Sequence, residues 1–151
     1  MSDGDFRATR RRLPHWHLTR ATYFITFRLL RGELSSDEIA LVRDHIVVGD
    51  GRFYDLIAAM VMPDHVHSAL TPRDGFDFSR ITKGIKGVSA RMLNQRRGTQ
   101  GAVWQEESWD RIARDDAELR RELDYMFDNP VRKGLTDDPW TWRGWWYRPH
   151  D

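Results

Sequence analysis

Cysteine is absent from all 151 residues, which excludes disulfides and thiolate zinc sites and fits a reducing compartment. Long apolar runs are missing too. Nothing approaches the ~20 residues that a membrane-spanning helix needs, and no signal-peptide pattern opens the chain. A cytoplasmic protein with no membrane partner is therefore expected. The third scarcity is local: from Phe78 to Gln105 there is no acidic residue, against six basic ones, Arg80, Lys83, Lys86, Arg91, Arg96 and Arg97. The formal net charge of +1 conceals this, because 12 of the 23 acids fall after Gln105. Arg7, Arg10, Arg11 and Arg12 add an N-terminal basic cluster. Such asymmetry makes a positive field that a phosphate backbone would feel, although a solvated helix face gives the same pattern.

What is present reads as one domain, long enough to bury a core and undivided by repeats or low-complexity linkers. Thr22 to Leu29 alternates, with Tyr23, Ile25, Phe27 and Leu29 on one face of a strand. Ser35-Ser36-Asp37-Glu38 is a capping box that opens a helix with Ile39, Val42 and Ile46 inward. Gly49-Asp50-Gly51 stops it. Phe53 to Met62 predicts a second strand, and Met62-Pro63-Asp64 a turn into a third, His65 to Leu70. A helix over Phe78 to Arg97 carries Ile81, Ile85, Val88 and Met92 at helical spacing. A fourth strand is expected within Trp104 to Ile112. The last helix should start near Asp115-Asp116 and end at Asn129, because Pro130 disfavours helical geometry in the residue before it. Strand, helix, strand, strand, helix, strand is the order of a ferredoxin-like α+β sandwich, an antiparallel sheet with helices on one face, here followed by a C-terminal helix. The boundaries expected are a basic arm over 1–20, the domain over 21–135, and an irregular, Trp-rich tail over 136–151.

Two constellations carry chemistry. His65 and His67, two apart on a strand, point to one face and can hold one metal ion together. With no thiolate available, carboxylate or amide oxygen must complete the shell. His15 and His17 form a competing pair, but they follow Pro14 in the arm, where no regular structure fixes them. In the last helix, Leu119, Leu123, Met126 and Phe127 form the inward stripe. Tyr125 then lies roughly 145° from its centre, with Asn129 on the same side. That is the position of an exposed surface tyrosine or of a displayed nucleophile. Glu118 and Glu122 share the flank, as further ligands or as solvated acids. A phenol, with an ordinary pKa of ~10, attacks a phosphodiester only with Lewis-acid help. A His-His-Asn cage holding Mg²⁺ or Mn²⁺ would give that help and leave tyrosine covalently linked to phosphate. Seven tryptophans are many for this length, and Trp140, Trp142, Trp145 and Trp146 crowd the tail. They either staple it to the domain or stack on unpaired bases, as Trp16 beside the arm arginines could.

Several segments then occur in a telling order: Arg12-Leu13-Pro14-His15-Trp16, Tyr23-Phe24-Ile25-Thr26-Phe27-Arg28, Val61-Met62-Pro63-Asp64-His65-Val66-His67, Val103-Trp104-Gln105, Trp109-Asp110-Arg111, and Tyr125 through Leu135. Together they resemble the REP-associated tyrosine transposases, relatives of the HUH single-tyrosine insertion-sequence transposases. The resemblance runs from about Arg12 to Leu135. It implies a ferredoxin-like fold and metal-dependent strand transfer on single-stranded DNA, on hairpins of repetitive extragenic palindromes (REP) read with a short guide sequence at the hairpin foot. It implies that His65 and His67 bind the metal, and that Tyr125 attacks to give a 5′-phosphotyrosine and a free 3′-hydroxyl. Asn129 stands where simpler relatives carry a glutamine ligand. The tail after Leu135 and His17 match no part of the pattern. Both monomers and homodimers with tyrosines acting in trans occur among such relatives.

The expected enzyme is thus a Mg²⁺- or Mn²⁺-dependent DNA strand transferase, with Tyr125 as nucleophile and His65, His67 and Asn129 on the metal. Arg10, Arg11, Arg12, Trp16, Arg80, Lys83, Lys86, Arg91 and Arg111 are the expected DNA contacts. Two other readings use the same residues: a catalytically silent hairpin binder that regulates, and a metal-dependent nuclease that uses water.

Overall fold

The computed structural model describes Leu13 and residues 20–149. The arm residues Arg10, Arg11, Arg12 and Trp16, and the pair His15 and His17, lie outside the described residues. The elements follow the expected order: β1 (Tyr23–Leu29), α1 (Ser36–Val48), β2 (Tyr54–Val61), β3 (His65–Pro72), α2 (Phe78–Arg97), β4 (Trp104–Ile112) and α3 (Asp116–Arg132). The sheet is antiparallel, in the order β4-β1-β3-β2-β5. Its first four strands have ferredoxin-like order, and β5 (Trp145–Tyr147) is an addition at the β2 edge. No helix among the described residues is long and apolar enough to cross a membrane.

Each face of the sheet has its own core, and this separation positions the site. Ile25, Phe27, Val66 and Leu70 pack under Ile39, Val42 and Ile46 of α1 and Ile81, Ile85 and Leu93 of α2. Phe24, Ala58, Met60 and Ala69 pack under Leu119, Leu123, Met126 and Phe127 of α3. Strand alternation sends odd and even residues to opposite faces. His65 and His67 therefore share the α3 face with Ala69, while Val66 goes to the other core. The capping box forms as expected, with Ser35 Oγ accepting from the Glu38 amide at 3.2 Å and Glu38 Oε1 from the Ser35 amide at 2.8 Å. The α2 stripe departs from expectation in its second half. Ser89 and Leu93 are buried rather than Val88 and Met92, because Trp104 Nε1 donates to Ser89 Oγ at 3.0 Å and draws that side inward.

Two expectations near the C-terminus need correction. The last helix does not end at Asn129; it runs through Pro130 to Arg132. Proline removes one donor, but a Schellman closure supplies the next bonds. Leu135 N–H reaches Pro130 O at 2.9 Å, and Gly134 N–H reaches Val131 O at 3.0 Å. Gly134, at φ +72°, is the left-handed residue that this turn requires. The tail is not irregular either. It forms a 3₁₀ turn (Pro139–Thr141) and then β5, paired to β2 through Ala58, Ala59 and Met60. Gly144 permits the close approach that precedes β5, since a Cβ there would collide with the Val61 carbonyl. Trp142 Nε1 donates to Val61 O at 2.9 Å, while Trp145 stacks on Tyr147 and packs beside Phe127. These tail tryptophans are staples. Trp145→Ala is accordingly expected to cost ~3–5 kcal/mol in urea unfolding. A loss below ~1 kcal/mol would mean that β5 is an appendage rather than core.

Candidate active site

Sequence places His65 at the start of β3, directly after the Pro63-Asp64 turn, and pairing brings Arg28 opposite it and Thr26 opposite His67. The two imidazole centroids lie 4.7 Å apart, nearly perpendicular. Each ring has its Nδ1 engaged by a neighbouring side chain. His65 Nδ1 meets Asp64 Oδ1 at 2.7 Å, and His67 Nδ1 meets Thr26 Oγ1 at 2.9 Å. A carboxylate on Nδ1 sets the Nδ1–H tautomer and leaves the Nε2 lone pair free for a partner. Asn129 supplies that partner: its Nδ2 lies 3.2 Å from His65 Nε2. Asn129 is buried because the last turns of α3 dock on the head of β3, whereas Tyr125 on the same flank stays exposed. Tyr125 is 55% exposed. The Arg132 guanidinium sits 3.9 Å from its ring centroid, and among the described residues its hydroxyl carries no hydrogen bond.

Burial favours the neutral form of both imidazoles. His67 is pushed down to about 3 by burial first, then by His65, Arg28 and Arg132. His65 is lowered by burial, with Asp64 opposing and Arg28 and Lys133 adding to the fall. Its hydrogen bond in turn lowers Asp64. Neutral imidazoles are the metal-binding form. For the metal-free protein the same shifts fix a stability slope. Between about pH 6.5 and 3 the unfolded chain binds a proton at His67 that the folded chain refuses, so stability falls as pH falls. His45 and His65 are lowered as well and act in the same direction. Urea midpoints in EDTA should therefore decrease from pH 7 to pH 5, and His67→Gln should remove up to ~1 kcal/mol per pH unit of that slope. An unchanged slope in the variant would contradict a buried neutral His67.

The donor set suits a divalent cation. The His65 Nε2 already meets a buried amide beside the His67 ring, and rotation of that amide exchanges its nitrogen for its oxygen. Among the described residues no group of three His, Cys, Asp or Glu side chains gathers at a point. Glu118 and Glu122 do not join the histidines. Glu118 accepts from the Arg114 backbone and guanidinium at 3.0–3.1 Å, which lowers its pKa. Glu122 is ion-paired with Arg111.

The expected DNA contacts divide. Arg80, Lys83 and Arg91 are exposed on α2, on the face of the sheet opposite the histidines. Lys86 belongs to the scaffold, with its ammonium donating to Gln105 O at 2.8 Å, Glu106 O at 3.1 Å and Ser108 Oγ at 2.9 Å. Arg111 lies on the histidine face but is bound by Glu122 and rests over Phe24. The cations that do surround the histidines are Arg28, Arg132 and Lys133, all exposed. Sequence reasoning passed over them, although Arg28 shares strand parity with Thr26, and Arg132-Lys133 follow Asn129 by one helical turn.

A family model described as IS200-like transposase matches residues 31–112. A REP-associated tyrosine transposase of Escherichia coli K12 is 27% identical over 131 residues, covering 84% of this chain and 76% of that protein. A Haemophilus influenzae relative is 26% identical over 94 residues, and the match spans about half (53%) of its length. A solved structure of a REP-associated tyrosine transposase bound to a REP hairpin is 26% identical with a TM-score of 0.66, over 87% of this chain and 79% of that one. A crystal structure from Deinococcus radiodurans, at 19% identity and a TM-score of 0.51, shares the fold over 80% of this chain and 96% of its own.

Proposed function

The chain belongs to the family of IS200-like transposases, and from that premise we propose that it is a cytoplasmic, HUH-type enzyme that cleaves and rejoins single-stranded DNA through Tyr125. One observation carries the reading: His65 of β3, with His67 beside it, meets Asn129 of α3 one helical turn from an exposed tyrosine. His65, His67 and Asn129 would hold Mg²⁺ or Mn²⁺, which when bound polarises a phosphodiester. Asp64 and Thr26 orient the two rings. Arg28, Arg132 and Lys133 make the cleft attractive to the strand's phosphates. Arg132 also keeps the Tyr125 ring in place. The Tyr125 oxygen forms a bond to phosphorus and the bond from phosphorus to the 3′ oxygen breaks. The phenolic proton is lost to solvent, and the departing oxygen takes a proton to become a 3′-hydroxyl. A 3′-hydroxyl attacking the 5′-phosphotyrosine reverses the exchange, so one strand end can be traded for another.

The substrate we propose is a hairpin formed by an extragenic palindrome, since the hairpin-bound structure named above matches over most of this chain. Residues 21–135 would carry the reaction, the arm over 1–20 would contact DNA, and 136–151 would support the sheet edge. Incubating the protein with an end-labelled single-stranded hairpin and Mn²⁺ should yield a protein–DNA adduct that survives denaturation. Binding without any adduct would instead mark a hairpin-binding regulator, and cleavage without an adduct a nuclease that uses water.

A further inference from the structure

Trp109 is the described tryptophan that the scaffold does not use. Trp104 packs edge-on to Phe27, Trp140 and Trp145 pack around Phe127, Trp142 bonds to Val61 O, and Trp146 carries Arg148. Trp109 is 50% exposed, and among the described residues its ring has no aromatic or cationic neighbour and its Nε1 no hydrogen bond. An indole left half in water on a strand gains little for the fold.

Its position is specific. Thr26 pairs with His67 on one side and with Trp109 on the other, so the three side chains form a row on the α3 face. Two strand spacings place the Trp109 backbone ~10 Å from that of His67. The helix above is anchored at both ends of this row. Glu122 is ion-paired with Arg111, two residues along β4 from Trp109, and Asn129 is bonded to His65, two residues along β3 from His67. Tyr125 lies between Glu122 and Asn129 on the same helical flank, three residues from one and four from the other. The nucleophile's flank therefore overlooks the row that runs from Trp109 to His67. Arg132 is stacked on Tyr125 and felt by His67, so its charge lies between the nucleophile and that row.

We propose that the Trp109 indole is the stacking platform for one unpaired base of the bound strand, and that it sets which phosphodiester reaches Tyr125. This rests on the reading given under Proposed function, in that the strand lies in the Tyr125 cleft. A base of this strand stacks on the ring, and the phosphates beside it run past Arg28 and Arg132 toward the histidines. Only an unpaired base offers a free π face here, so the platform selects single strand over duplex while tolerating different bases.

The test is a thermodynamic cycle on the full-length protein, using a hairpin oligonucleotide with a single-stranded extension in which one abasic residue is moved position by position. For wild type, one abasic position should lower affinity roughly 5- to 150-fold. Trp109→Ala should lower affinity for the intact strand by a similar factor and lose sensitivity to that same position. Trp109→Phe should stay within about threefold of wild type, and the melting temperature of all three should agree, as exposure implies. The idea is overturned if Trp109→Ala binds the intact strand as wild type does, if its loss multiplies with the abasic loss, or if it alters only oligomeric state. Adduct formation by wild type, read in parallel, separates the two claims. A coupled cycle without adduct leaves the platform standing and removes strand transfer; adduct with an uncoupled cycle does the reverse.

Discussion

Replacing Tyr125 with Phe is expected to eliminate the covalent protein–DNA adduct, a loss on the order of 10³ or more, while hairpin affinity stays within about twofold and stability within ~0.5 kcal/mol. The asymmetry follows from how the residue is held. Its ring stacks under the Arg132 guanidinium at 3.9 Å, and phenylalanine keeps that contact. Its hydroxyl bonds to nothing among the described residues and the side chain is 55% exposed, so removing one oxygen opens no cavity and strands no buried partner. What is removed is the atom that bonds to phosphorus. Alanine would be the poorer test, because it also frees Arg132 to move within the cleft. A denaturing gel reads the adduct, and a native mobility shift on the same samples reads binding. Persistence of the adduct in Tyr125→Phe would assign the nucleophile elsewhere and undo the proposed mechanism.

The fold was legible where local and global signals agree. The capping box at Ser35–Glu38, the alternation of β1 and the Pro63-Asp64 turn each fix their elements with chemistry contained in a few neighbouring residues. What stayed hidden depends on distant partners. Three residues of β5 carry no readable period, and β5 exists because Gly144 lets the chain approach Val61 and because Trp145 finds Phe127 from another element. Pro130 reads as a stop to any local rule, yet Gly134 and Leu135 supply the closure that lets the helix run past it. In the site, strand parity sufficed to put His65 and His67 side by side. The helical wheel sufficed to expose Tyr125. It also put Asn129 on the Tyr125 side, but a wheel knows only its own helix, and it is the sheet that buries that flank at its last turn. The basic run on α2 is the converse case. Its charge pattern was real, but Lys86 is committed to β4, and Arg80, Lys83 and Arg91 emerge on the other side of the sheet.

Removal of either histidine should have the second large effect, and its readout does not require turnover. Mn²⁺ titrated calorimetrically into metal-free protein should bind at least 10²-fold more weakly to His65→Ala or His67→Ala, because loss of an outer-shell partner alone typically costs roughly 10–100-fold. Asp64→Ala belongs in that smaller class, since it frees His65 Nδ1 without deleting the nitrogen opposite. Asn129 discriminates between two roles. If its amide oxygen completes the donor set, Asn129→Asp should bind Mn²⁺ as tightly as wild type or more so, a carboxylate being the harder donor, whereas Asn129→Ala should lose on the order of tenfold. If Asn129 only props His65 through the 3.2 Å contact, alanine and aspartate should weaken binding alike. Aspartate also places a charge among buried groups, so in the absence of metal it should destabilise the fold and raise its own pKa. Metal should then restore stability to Asn129→Asp more than to wild type, which thermal unfolding with and without Mn²⁺ measures directly. Mn²⁺ affinity untouched by loss of both histidines would remove the metal from this cleft altogether.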